Sequence, residues 1–191
     1  MANSPWKTLV GYVQPEVATC PKGTIINEIR RAAIRFCRET AIWVEQLDPL
    51  FFPAGMDTAD LDAPRGSRAC MVTELKGENG VLDPQYDYSA TPDMVKLINT
   101  PTINSQFEVK AVLKPTLSSD GMPEGLMEDW GEIIAYGAIA SLKAMIGREW
   151  EDLSGAQIKM NLFNDGIADA IVDRLREGTN KPLRVKSRSF F

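Results

Sequence analysis

From Ile25 the apolar and small residues fall at positions 25, 29, 32, 33, 36, 37, 40, 43, 44 and 47, in steps of three and four. That spacing collects them on one side of a helix and predicts a long element over roughly 22–47. Pro21 suits the helix start, where its missing N–H is not needed. Asp48-Pro49 is expected to end it, because the residue before a proline avoids helical geometry.

Between 49 and 121 the pattern changes. Prolines recur at 49, 53, 64, 84, 92, 101 and 115, and no helical stripe runs between them. Residues 69–75, 94–99 and 106–114 predict strands instead. In the last of these, Phe107, Val109, Ala111 and Leu113 alternate with Glu108, Lys110 and Lys114, the period of a half-buried strand. Gly77-Glu78-Asn79-Gly80 reads as a tight turn.

A second helical stripe starts near Pro123 and runs through Met127, Trp130, Ile133, Ile134, Gly137, Ala138, Ser141, Ala144 and Met145 toward Trp150. Its small residues allow another helix to approach closely. Ser154 and Gln157 have the spacing of a capping box. Ala156, Met160, Phe163, Ile167, Ala170, Ile171 and Leu175 continue the apolar line, with Gly178 as its expected stop.

These elements predict an α+β fold: an antiparallel bundle of about three long helices with an inserted small antiparallel β-domain and an extended C-terminal tail. The expected boundaries are 1–48 and 122–180 for the helical body, 49–121 for the β-domain and 181–191 for the tail.

Composition narrows the chemistry. The chain has 191 residues and no histidine. Histidine activates most serine and cysteine nucleophiles and is the commonest metal ligand, so its absence shifts expectation from catalysis toward binding or structure. Cys20, Cys37 and Cys70 are odd in number and widely spaced, which predicts reduced, largely buried thiols. No phosphate-cradling glycine motif occurs. No run suits a membrane span and the start is unlike a signal peptide, so synthesis in the cytoplasm is expected.

Charge singles out two features. Residues 181–191 carry four basic side chains and no acidic one, so the net charge of −5 leaves −9 on the rest of the chain. In that tail Lys181, Arg184, Val185, Lys186, Arg188, Phe190 and Phe191 are the candidate partner-binding residues. An extended eleven-residue arm reaches about 36 Å, and two terminal aromatics call for a pocket. The second feature is Arg31, Arg35 and Arg38, at i, i+4 and i+7, a candidate inter-subunit face that equally suits a phosphate backbone. The acids Glu124, Glu128, Asp129 and Glu132 sit where a helix N-terminus favours them. A magnesium enzyme built on Glu124, Glu128 and Glu132 is the remaining enzymatic alternative; no cofactor or metal is expected.

The phrase EIRRAAIRFCRETAIW, preceded by Pro15-Glu16-Val17 and Cys20-Pro21, resembles the head-to-tail adaptor (neck, connector) proteins of tailed phages. PRGSRACMV, VKAVLKPT, the helix pair and the basic end in Phe-Phe follow in the same order. The overall plan is similar to the tail-tubular adaptor of short-tailed phages. That resemblance implies a structural subunit without catalytic residues, in a ring of usually twelve copies under the portal protein in the virion neck. The ring would extend the channel, through which DNA passes without specific binding, and offer a platform to tail or nozzle proteins. It also implies that the C-terminal arm meets the portal or a neighbouring subunit. The alternative is a nucleic-acid-binding protein using Arg31, Arg35, Arg38 and the basic tail.

Overall fold

The computed structural model describes residues 3–176. In chain order they form β1 (Asn3–Pro5), α1 (Lys7–Val13), α2 (Lys22–Thr40), β2 (Val44–Phe52), β3 (Thr58–Asp60), β4 (Ser67–Gly77) and β5 (Gly80–Val81). There follow β6 (Tyr88–Ala90), β7 (Met94–Leu97), β8 (Ser105–Pro115), β9 (Gly121–Pro123), α3 (Glu124–Lys143) and α4 (Leu153–Arg176).

The expectation of a three-helix bundle with a small β-insert is therefore overturned. The described residues are α+β with four helices and nine strands in three antiparallel sheets: β2-β8-β4-β5, β3-β7-β6 and β1-β9. One buried cluster runs from Trp6 and Leu9 through α2 and the strands to Phe163 and Ala170. The β-region shares that core with the helices and does not hang from it.

α2 stops at Thr40, short of the expected 47. The Thr40 hydroxyl donates to the Phe36 carbonyl at 2.8 Å, and Ala41 turns to a left-handed φ of 51° with its N–H on the Cys37 carbonyl. Leu47 then belongs to a strand, and Trp43 stands just before it with its carbonyl accepting the Leu113 N–H at 2.7 Å. β2 pairs with β8, but a bulge between Leu47 and Leu50 inserts one extra residue around Asp48-Pro49. Leu47 and Leu50, both buried, consequently lie three apart along the strand, and buried Trp43 stands four before Leu47. The bulge imitates helical spacing. Pro49 is tolerated there because β2 is an edge strand of its sheet.

β4 carries two such irregularities, between Ala69 and Met71 and between Val72 and Glu74. Its buried residues, Ala69, Val72 and Leu75, accordingly fall every third position. Central β8 keeps the expected alternation through Val109 and Ala111, and then buries Val112 as well as Leu113. The turn at Glu78-Asn79 joins β4 to β5.

In the helical layer, Gly137 lies against the Phe163 ring and Gly166 against Ile133. Those two crossings run in opposite chain directions, so α3 and α4 are antiparallel and in close approach. The N-cap of α4 is Asp152, not Ser154: its Oδ1 accepts the Gly155 N–H at 2.9 Å and the Ser154 hydroxyl at 3.0 Å. Gln157 turns instead to Asn161. β1 pairs with β9 immediately before α3, and any side chain at Gly121 would collide with the Ser4 backbone.

An ion network ties the turn after α1 to both helices. Glu16 meets Lys143 and Lys159 at 2.8 Å each, and Lys143 also meets Asp152 at 3.3 Å. Hydrogen bonds from Lys143 and then Lys159 hold the Glu16 carboxyl below its ordinary range, while the Glu16 hydrogen bond raises Lys143. A depressed carboxyl contributes stability above its unfolded pKa and loses it as pH falls through the folded value. A raised lysine contributes below its unfolded pKa and loses it as pH rises through the folded one. The network therefore braces the fold between about pH 4 and pH 10 and weakens at both ends. Glu16→Gln is expected to lower the urea midpoint at pH 7 and to shrink the further drop on going to pH 3. An undiminished drop in the variant would remove Glu16 from the acid response.

Candidate docking surface

Helical spacing brings Arg31, Ile34, Arg35 and Arg38 to one side of α2, and the end of the large sheet lies beside them. In the β4–β8 ladder Arg68 stands opposite Lys114. Together with Pro115, Thr116 and Leu117 these residues line an open groove of about 540 Å³. Five cations surround it. Leu117 is 68% exposed at its edge, and half-buried Ile34 contributes to its apolar lining.

The cations are not equivalent. Arg31 bonds the buried Glu28 at 2.9 Å, with its own side chain 68% exposed. Arg35 is turned onto α4: its Nη2 donates to Asn164 Oδ1 at 3.1 Å, its Nε to Glu39 at 2.8 Å, and its guanidinium lies 5.2 Å from the Phe163 ring centre. It braces two helices and offers little to a partner. Arg68 takes both oxygens of Asp93, which relieves the repulsion that two cations directly opposite on a ladder would suffer. Arg38 and Lys114 have no hydrogen-bond or ion-pair partner among the described residues. The groove thus combines two uncompensated charges with apolar lining.

Cys70 faces the same region. Burial pushes its thiol up, against the opposing pull of Lys114 and Arg38, and burial pushes Cys37 up to about 12. Both thiols are protonated near neutral pH, so neither is an activated nucleophile. All three cysteines are free.

The acids that open α3 do not converge. Glu124, Glu128, Asp129 and Glu132 are exposed, and Glu132 accepts the Tyr136 hydroxyl. Among the described residues no group of three or more histidine, cysteine, aspartate or glutamate side chains is placed to hold a metal. The loop acid Asp57 pairs with Lys96 at 3.5 Å. No helix of the described residues is long and apolar enough to cross a membrane.

The structure brings Arg31 and Arg38 into one surface and diverts Arg35 from it. Lys181, Arg184, Val185, Lys186, Arg188, Phe190 and Phe191 lie outside the described residues, as does Gly178. Sequence reasoning missed Arg68 and Lys114. The phrase PRGSRACMV and the strand ending VKAVLKPT contain them, but only strand pairing sets them side by side. Compared with known proteins, the chain matches no family model and no curated protein.

Proposed function

We propose that this protein is a structural subunit of a head-to-tail adaptor ring, seated under a phage portal in the virion neck, where it extends the DNA channel and supports the tail or nozzle. The observation that carries the reading is the groove between α2 and the β4–β8 ladder. On a chain of net charge −5, it presents Arg38 and Lys114, which have no acidic partner among the described residues, beside exposed Leu117. Uncompensated charge next to an exposed aliphatic suits docking on another protein.

The resemblance of EIRRAAIRFCRETAIW and of the Phe-Phe end to phage adaptors supplies the kind of assembly: a ring of about twelve copies on the portal. Residues 181–191, basic and aromatic-ended, are the arm that engages the portal or the next subunit. The overall negative charge suits a channel through which DNA slides without specific binding, since few cations would be free to hold phosphates.

Electron micrographs of the purified protein with its portal test the reading, with rings seated on the portal as the expected result. Deleting 181–191 should leave a folded subunit that no longer joins it. Portals that stay bare with the full chain would overturn the adaptor reading, and a truncated chain that joins normally would overturn the role of the arm.

Four of the five groove cations favour a second reading, a nucleic-acid-binding protein using Arg31, Arg38, Arg68 and Lys114. Filter binding across a salt series separates the two: tight binding with a steep salt slope supports nucleic acid, and weak binding supports the ring.

A further inference from the structure

We propose that the groove beside α2 receives the outer face of α4 from a second copy of this chain, so that subunits join head to tail. The inference rests on the adaptor-ring reading and names the surface that covers the groove.

The α4 residues Ala156, Phe163, Ile167 and Ala170 are buried and define its core-facing line. At about 100° per residue, Ile158, Leu162, Asp165, Asp169 and Asp173 fall within an arc of about 80°, roughly 120° around from that line. Ile158 is 60% exposed and Leu162 40%. The three aspartates are exposed, and none has a hydrogen-bond or ion-pair partner among the described residues. The face is thus aliphatic in its N-terminal half and acidic in its C-terminal half, over a length of about 22 Å.

The groove offers the matching set: Arg38 and Lys114 unpaired, Arg31 and Arg68 partly compensated, and Ile34 and Leu117 as apolar surface. Aspartates meet cations and aliphatics meet aliphatics. The two surfaces do not meet within one subunit. The side of α4 nearest α2 is marked by Asn164 and Met160, which both bond Arg35, and the acidic face begins about 100° further round. Two complementary surfaces that point in different directions on one chain generate a heterologous contact, which closes into a ring or runs on as a filament.

The test reverses charge on each side of the full-length chain: Arg38→Glu with Lys114→Glu in the groove, and Asp165→Lys with Asp169→Lys on α4. None of the four side chains has a hydrogen-bond or ion-pair partner among the described residues, so circular dichroism and melting should match the wild type. Sedimentation of the protein alone and with its portal should show self-association weakened at least about tenfold in each double variant. Combining all four changes in one chain should restore it, because the groove is then acidic and the helix basic. Mixing the two double variants should restore it as well.

Reversals without effect on self-association would overturn the proposal, as would a quadruple variant as defective as the doubles. If rings still form on the portal with every variant, this contact is wrong and the adaptor reading stands. A wild-type chain that associates neither with itself nor with the portal overturns both. Steep salt-dependent binding of DNA that is lost with the groove variant alone would give the groove to nucleic acid.

Discussion

Replacing Phe36 with alanine is expected to cost about 3–5 kcal/mol of folding stability. The ring is fully buried, 5.7 Å from the Trp130 ring centre on α3 and 6.5 Å from that of Phe163 on α4. Three helices therefore meet on one side chain. Truncation removes the transfer free energy of the ring and leaves a cavity that stiff aromatic neighbours cannot close. Phe36→Leu keeps most of the volume and should cost well under half as much. Urea unfolding followed by circular dichroism gives both values. A loss below about 1 kcal/mol for the alanine variant would show that the helices do not depend on this contact. The groove should suffer too, since Arg31, Ile34 and Arg38 stand on the same helix and take their position from its seating on α3 and α4.

Trp6→Ala should have an effect of similar size, again about 3–5 kcal/mol. Trp6 is 1% exposed although it lies only six residues into the chain. Its indole N–H donates to the Ser119 carbonyl at 2.9 Å, and its backbone N–H donates to the Asp120 carbonyl at 3.1 Å. Arg30 Nε reaches the same Ser119 carbonyl at 2.9 Å. Trp6 and Arg30 together fix the loop between β8 and β9, which carries Leu117 at the edge of the groove. Trp6→Phe retains the bulk and loses one hydrogen bond, a cost of about 1 kcal/mol, because Arg30 still satisfies the carbonyl. Thermal unfolding ranks the variants. Limited proteolysis at the β8–β9 loop should show faster cleavage in Trp6→Ala than in Trp6→Phe. Equal cleavage would mean that Arg30 alone holds the loop.

Both predictions depend on contacts that no local pattern announces. α2, α3 and α4 were legible because a helix repeats its face every three to four residues, and Ile25, Ile29, Phe36 or Phe163, Ile167, Ala170 keep that interval. β8 was legible because the extra residues of its ladders lie on its partner strands, and its own Phe107, Val109 and Ala111 alternate with Glu108 and Lys110. β4 was expected over 69–75 and forms over Ser67–Gly77, although bulges near Cys70 and Thr73 break its period of two; β2 was not legible, because the bulge at Asp48-Pro49 broke that period. In β2 the break reproduced helical steps and lengthened the apparent helix to 47. The strands β1 and β9 are three residues each and exist as a sheet only through their pairing across the chain.

The candidate surface divides in the same way. The sequence by itself determined that Arg31, Arg35 and Arg38 share one side of a helix, that the described helices have apolar faces to bury, and that basic charge concentrates in 181–191 of an acidic chain. Backbone geometry fixes such spacings within a few residues. The tertiary structure alone decided that Arg68 and Lys114 join the arginines, that Arg35 is spent on α4, and that the β-region belongs to one core with the helices. Those outcomes follow from which apolar faces are buried against each other, a choice made between segments dozens of residues apart, and no local period records it.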